Sequence, residues 1–112
     1  MAETINFPQI SMKIILPAGE ARTKSSEAFE ELLNGNFEKC DSLLKEANEY
    51  IKEAHKAQTD VLQTLAAREY ENGKDDVVLP MLFIHAQDTI MTIMSEVNMI
   101  EKMAKMYKEL KK

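Results

Sequence analysis

The amino-acid sequence predicts an all-α protein with the architecture of an elongated antiparallel three-helix bundle. The 112 residues include only three glycines and three prolines, so the chain has few turns and long elements. Apolar residues recur at alternating spacings of three and four, which is the period of an α-helix. No stretch shows the strict apolar and polar alternation of a half-buried strand. The length predicts a single domain spanning residues 1–112.

The first helix is predicted over about residues 10–34, where small and apolar residues follow the helical period. These residues are Ile14, Ala18, Ala21, Ser25, Ala28 and Leu32. Pro17 removes one backbone donor, and we expect it to kink the helix. Asn34 and Gly35 form a C-terminal stop signal, and Asn36 is expected to cap the next helix by accepting from its free N–H groups.

The second helix is predicted over about residues 37–70 and has the most regular pattern in the chain. Its seam consists of Phe37, Cys40, Leu44, Ala47, Ile51, Ala54, Gln58, Val61 and Leu65. A helix of this length, at about 1.5 Å per residue, is roughly 50 Å long, and the bundle is therefore elongated. A polar connector containing Gly73 follows. Pro80 suits the first turn of a third helix over about residues 78–110.

The third helix is unusually apolar in its first two-thirds. Residues 81–100 contain twelve apolar side chains and only two formal charges, those of Asp88 and Glu96. At about 100° per residue, the polar side chains share a sector of roughly 120°, which leaves an apolar arc of about 240°. Two neighbouring helices cannot cover such an arc. We expect an oligomer built on this helix, the alternative being a monomer whose methionine-rich arc is partly exposed.

The charge and cysteine content exclude several classes of partner and location. A net charge of −5 provides no general attraction to nucleic acid or anionic lipid. The short apolar runs predict neither a signal peptide nor membrane insertion, and the single Cys40 cannot form an internal disulfide, so we expect a cytoplasmic protein. Cys40 lies on the second helix's seam, where we expect a small core residue rather than a nucleophile.

His85 is the main candidate for chemistry in the third helix. Histidine has an ordinary pKa of about 6.5, so a neutral nucleophilic nitrogen is available near neutral pH. A single histidine on a helix is commonly a surface or hydrogen-bonded core residue. His85, however, follows the apolar residues 81–84 and precedes Asp88 by one turn. The His-x-x-Asp spacing could orient an imidazole, hold a metal, or do neither.

The segment LFIHAQDTIM, residues 82–91, resembles the enzyme IIA component of the lactose/cellobiose class of the bacterial phosphoenolpyruvate-dependent sugar phosphotransferase system (PTS). The resemblance covers about residues 10–110. It extends through Gly19-Glu20-Ala21-Arg22, Asn34-Gly35-Asn36-Phe37, Glu53-Ala54-His55 and Gln58-Thr59. Within a three-helix frame, the HAQD element is the part of this resemblance that is specific to the family.

The resemblance implies a homotrimeric phosphotransferase component that carries a phosphoryl group during sugar uptake. His85 would be phosphorylated on Nε2 by the phosphohistidine of HPr, and a cysteine of the cognate enzyme IIB would accept the group. Asp88 would lie on the trimer axis and share Mg²⁺ with its two symmetry mates. The sugar would be a β-linked disaccharide such as cellobiose or lactose, taken up by the membrane enzyme IIC.

The sequence departs from the family pattern at Thr89, where members often carry a second histidine. A role of that imidazole in hydrogen-bonding the phosphoryl group is therefore in doubt here, although the Thr89 hydroxyl can still donate. We interpret Gln87 and Thr89 as supporting residues. His55 and Gln58 are expected to form a buried polar network rather than to contact the phosphoryl group.

Residue types and sequence motifs bear on the remaining questions, namely whether a metal is bound and which other functions the chain could have. Three copies of Asp88 would repel one another, and a structural cation held by oxygen ligands would relieve that repulsion. The paired Glu-x-x-His elements of di-metal bundles and the G-x-S-x-G element of hydrolases are both absent from the sequence. The alternative to a phosphoryl carrier is a non-catalytic helical adaptor that binds partner helices through its methionine-rich face.

Overall fold

The computed structural model describes residues 5–72 and 78–112. It contains three helices, α1 (Phe7–Leu33), α2 (Phe37–Asn72) and α3 (Met81–Leu110), and no strand among the described residues. The molecule measures 59 × 22 × 20 Å. The predicted all-α, elongated three-helix architecture is confirmed.

The first helix begins three residues earlier than predicted. The Asn6 side-chain oxygen accepts from the backbone N–H of Gln9 at 3.1 Å, which caps the helix. Pro8 lies in the first turn, where its missing N–H costs nothing. The helix then continues through Pro17, which is buried. A kink at Pro17 stays a prediction.

The turn between α1 and α2 confirms the predicted stop. Gly35 has a φ of +82°, in the left-handed region that glycine adopts at little cost. The N–H of Gly35 donates to the Leu32 carbonyl at 3.1 Å, and that of Asn36 donates to the Glu31 carbonyl at 2.9 Å. The orphan carbonyls of the last turn of α1 are thereby satisfied.

The expected cap by the Asn36 side chain is wrong. Its amide donates to the Glu31 carboxylate at 2.6 Å instead, because that carboxylate lies beside it at the end of α1. The Asn36 backbone carbonyl accepts from the N–H of Cys40 at 3.0 Å. The hydrogen bond from the Asn36 amide, together with the nearby charge of Lys39, lowers the pKa of Glu31.

The core contains buried alanines on α1 and α2 together with larger side chains from all three helices. The fully buried alanines of the first two helices are Ala18, Ala21, Ala28, Ala47 and Ala54. The large buried residues of α3 are Phe83, Ile90, Ile93 and Val97. Burial raises the pKa of the Cys40 thiol, as suits a core cysteine. Small residues allow close packing of α1 against α2, and the large buried side chains of α3 pack against this pair.

Polar side chains connect α3 to both other helices. Glu96 receives two hydrogen bonds from Arg22 on α1, each of 2.9 Å. Three further pairs connect α3 to α2, namely Gln58 with Gln87, Asn48 with Glu101, and Asp41 with Lys108. Along α2 the residue numbers of these partners rise as those on α3 fall, so the two helices are antiparallel.

The neighbouring leucines at the end of α1 test the core. Leu32 is 1% exposed and Leu33 is 49% exposed. Because Leu32→Ala leaves a cavity, we expect it to lower the free energy of unfolding by about 2–5 kcal/mol. The matched control Leu33→Ala should change it by about 0.5 kcal/mol or less. Urea denaturation at one fixed chain concentration measures both, and equal losses would contradict the described packing.

Candidate functional site

His85 lies in the second turn of α3 with its imidazole on the exposed side of the helix. Two residues away, Phe83 is buried, and Ala86 beside it is buried as well. The ring of Phe83 meets that of Phe7 on α1 edge to face, with centroids 5.2 Å apart. The buried side of α3 thus packs against the other helices, and His85 lies on the opposite, exposed side of α3.

Thr89 lies one helical turn after His85 on the same side of α3. Its hydroxyl oxygen is 3.5 Å from Nε2 of His85, the nitrogen that the resemblance assigns to phosphorylation. The Thr89 side chain is half-buried, whereas His85 is exposed. The predicted supporting role of Thr89 is therefore compatible with its position.

Asp88 is exposed on the outer side of α3, near His85. Its carboxylate has the oxygen ligands that Mg²⁺ prefers. However, no group of three or more histidine, cysteine, aspartate or glutamate side chains in residues 5–72 and 78–112 is placed to hold a metal. Within the described residues of one chain, Asp88 therefore belongs to no such group.

Gln58 and Gln87 form a polar contact between α2 and α3. The Gln58 amide nitrogen donates to the Gln87 amide oxygen at 2.6 Å. Gln58 is buried and Gln87 is half-buried. This bond lies two residues from His85 along α3, and it fixes the rotation of that part of the helix relative to α2.

The expected place of His55 in a buried network is wrong, because His55 is exposed. The buried seam of α2 passes through Ala54 and Gln58. His55 follows Ala54 by one residue and so lies about 100° further round the helix, on the solvent side. Gln58 and Gln87 are brought together without it.

Exposed apolar side chains flank His85 along the chain in both directions. Before it lies a group that we call the apolar collar, consisting of Val78, Leu79, Met81, Leu82 and Ile84. After it lies the methionine stripe, which consists of Met91, Met99 and Met106, with 55%, 54% and 60% of their surfaces exposed. The wide apolar arc predicted for this helix is therefore left partly uncovered by the single chain.

The ion pair between Arg22 and Glu96 was missed by the sequence interpretation. Both side chains are partly exposed, and the hydrogen bond to Glu96 raises the pKa of Arg22. Glu96 shares a shallow surface depression with Met91, Thr92, Ser95 and Met99. No local signal could have paired residues so far apart in sequence, although Arg22 belongs to a segment that carries the family resemblance.

One open groove on the described residues does not contain His85. This groove, of about 1000 Å³, lies between α1 and α2 and is lined by residues such as Met12, Leu16, Tyr50 and Val61. Small-molecule sites are normally concave. An imidazole that protrudes from a convex helix is instead suited to reaction with a group presented by another protein.

A search for membrane-spanning segments among the described helices finds none of sufficient length and apolarity.

Comparison with known proteins identifies the relatives of this sequence. Residues 9–108 match the family model described as "PTS system, Lactose/Cellobiose specific IIA subunit". The PTS system lactose-specific EIIA component of Staphylococcus epidermidis is 34% identical over 100 residues, which are 89% of this chain and 90% of that protein. The corresponding component of Lacticaseibacillus casei is 30% identical over 111 residues, or 99% and 94% of the two chains.

Two solved structures share the fold. The crystal structure of PtcA from S. mutans superposes with a TM-score of 0.81 at 34% identity, over 95% of this chain and 98% of that one. The PTS cellobiose-specific enzyme IIA from Bacillus anthracis gives a TM-score of 0.80 at 30% identity, over 98% and 95%.

A double-mutant cycle tests the glutamine contact beside His85. We expect Gln58→Ala and Gln87→Ala to show a coupling energy of about 0.5–1.5 kcal/mol in unfolding experiments, because each change removes the same hydrogen bond. The control pair Gln63→Ala and Gln87→Ala should be additive, since Gln63 is exposed. Additivity of the first pair would mean that the contact does not stabilise the protein.

Proposed function

Because this chain belongs to the lactose/cellobiose-specific enzyme IIA family of the PTS, and so has a phosphotransfer role in sugar uptake, we propose that His85 is the residue that carries the phosphoryl group. The donor is phospho-HPr and the acceptor is a cysteine of the cognate enzyme IIB. The observation that supports this most directly is the exposed imidazole of the HAQD segment on a firmly packed helix.

The proposed reaction consists of two successive displacements at phosphorus. In the first, His85 receives the phosphoryl group, and in the second it passes the group on. The lone pair of His85 Nε2 attacks the phosphorus of the donor phosphohistidine, and the donor nitrogen keeps the electron pair of the bond that breaks. The His85 ring keeps its proton on Nδ1 through the transfer, so one nitrogen–phosphorus bond forms as another breaks. In the second transfer a cysteine thiolate attacks the phosphorus, and the electron pair of the nitrogen–phosphorus bond returns to Nε2.

Positioning supplies most of the catalysis that such a transfer needs. Phosphoryl transfer depends on in-line approach and on charge stabilisation more than on covalent chemistry by the protein. The buried Phe83 and Ala86 hold the helix in place, so the direction of the imidazole is set before a partner arrives. The carrier therefore has little reorganisation to make at the moment of transfer.

The apolar collar provides a surface on which partners dock and exclude water. Its most exposed members are Val78 and Met81, at 87% and 84%. A phosphohistidine is lost to water if solvent reaches it, and a closed interface prevents that loss. Methionine adapts to different partners because its side chain is flexible and polarisable, which suits a carrier that meets both HPr and enzyme IIB.

The proposed assembly is a homotrimer formed through the outer side of α3. The methionine stripe exposes apolar surface of the kind that closed symmetric oligomers bury, with Thr92 and Ser95 beside it. Asp88 lies on the same side of the helix and would meet its two symmetry mates near the axis. Mg²⁺ bound there would supply positive charge that offsets the repulsion of three carboxylates, as a structural ion outside the phosphoryl transfer.

The sugar proposed for the system is a β-linked disaccharide such as cellobiose or lactose. The names of the relatives refer to lactose and the name of one structural neighbour refers to cellobiose. His85 is exposed on the surface of α3, and we assign the choice of sugar to the membrane enzyme IIC. The second candidate function, a helical adaptor acting through the methionine stripe, needs no chemistry at His85.

Mass spectrometry after incubation with phosphoenolpyruvate, enzyme I and HPr tests the phosphoryl site. We expect one acid-labile phosphoryl adduct on the wild-type chain and none on His85→Gln, because the amide lacks a nucleophilic nitrogen. The control His55→Gln should be phosphorylated like the wild type. An adduct that survives His85→Gln would refute the site, and the absence of any adduct on the wild type would favour the adaptor.

Light scattering in metal-free buffer tests the assembly. Asp88→Leu should keep or strengthen the trimer, because three mutually repelling carboxylates are replaced by apolar side chains. Met99→Glu should break the trimer into monomers of 12.8 kDa, because it places charge in the methionine stripe. Dissociation of Asp88→Leu, or a trimer in Met99→Glu, would contradict the proposed interface.

A further inference from the structure

We infer that the Thr89 hydroxyl serves the reactive nitrogen of His85 in two states. In the free protein it donates a hydrogen bond to Nε2, and in the phosphorylated protein it donates to a phosphoryl oxygen on that nitrogen. The second half of this inference rests on the proposed function, whereas the first half does not.

The direction of the Thr89 side chain is the first observation. Threonines inside helices commonly donate to the carbonyl one turn earlier. Two others in this chain do so, since the Thr23 hydroxyl donates to the Gly19 carbonyl at 3.2 Å and the Thr64 hydroxyl to the Asp60 carbonyl at 2.9 Å. The contact of the Thr89 hydroxyl in the described structure is with the imidazole instead.

With the Thr89 hydroxyl as the donor, this contact selects one tautomer of the neutral ring. A neutral imidazole has one nitrogen that donates and one that accepts. A hydroxyl that is not hydrogen-bonded to a helix carbonyl can donate a hydrogen bond to Nε2. The ring proton then resides on Nδ1. That tautomer has its lone pair on Nε2, which is the nitrogen that must attack phosphorus. At 3.5 Å the bond is long and is easily given up during attack.

The same hydroxyl is well placed once Nε2 carries a phosphoryl group. A phosphoryl oxygen lies two bonds from the nitrogen, and the hydroxyl is 3.5 Å from that nitrogen on the same side of the helix. An oxygen of the group can therefore come within reach of the hydroxyl without movement of α3. The resulting bond is charge-assisted, and such bonds are stronger than the one that the neutral ring accepts.

The free protein is tested by measuring the ¹⁵N chemical shifts of both His85 ring nitrogens by NMR. Thr89→Val is nearly isosteric and should shift the neutral ring toward the Nε2–H tautomer. Thr89→Ser should retain the wild-type tautomer ratio, because it keeps the hydroxyl. The matched control Thr23→Val removes a helix-bonded hydroxyl and should leave the ratio unchanged. A wild-type ratio in Thr89→Val would overturn the first half of the inference.

The phosphorylated protein is tested by the rate at which purified phosphohistidine is hydrolysed to inorganic phosphate. Loss of one hydrogen bond should make hydrolysis about threefold to tenfold faster in Thr89→Val. Thr89→Ser and Thr23→Val should hydrolyse at the wild-type rate. Equal lifetimes of Thr89→Val and Thr23→Val would overturn the second half. If the wild type takes up no phosphoryl group, the proposed function is refuted. The tautomer measurement then remains as the test of whether the Thr89 hydroxyl donates to His85.

Discussion

The close packing of α1 against α2 is the constraint on which the rest of the structure depends. Both helices present small side chains to each other, among them Ala21 and Ala54, so their backbones can approach. The third helix packs against this pair and adds Phe83, Ile90 and Ile93 to the core. Because α3 is covered from one side only, its outer half stays available for partners, and His85 lies in that half.

The regular helical pattern made most of the fold predictable from the sequence. Seam positions such as Ala47 and Ile51 are buried as their spacing indicates, and the Asn34-Gly35 stop lies where the chain turns. Periodicity is informative here because it repeats over nine positions of one long helix. The start of α1 was less predictable, since the Asn6 cap lies before the repeating pattern begins and involves one local bond.

The details of the candidate site were predictable only in part. The exposure of apolar side chains on α3 agrees with a predicted arc too wide for two neighbours, whereas the sequence left open whether His85 is a surface or a core residue. Contacts across the bundle, such as those between Arg22 and Glu96, depend on how two helices are aligned, and a periodic pattern contains no information about that alignment. His55 shows why a helical pattern must be read to the exact residue. A shift of one position rotates a side chain by about 100°, which is enough to move it from the core to the surface.

Exposure of the methionine stripe has a chemical consequence for the unassembled chain. Thioether sulfurs that contact solvent are open to oxidants, and methionine sulfoxide is polar where an apolar contact is needed. Met91, Met99 and Met106 are all more than half exposed in the single chain. In the proposed trimer, a chain oxidised at these sulfurs would lose the surface through which copies associate, whereas chains already assembled would shield the sulfurs. Association would thus protect the same residues that make it favourable.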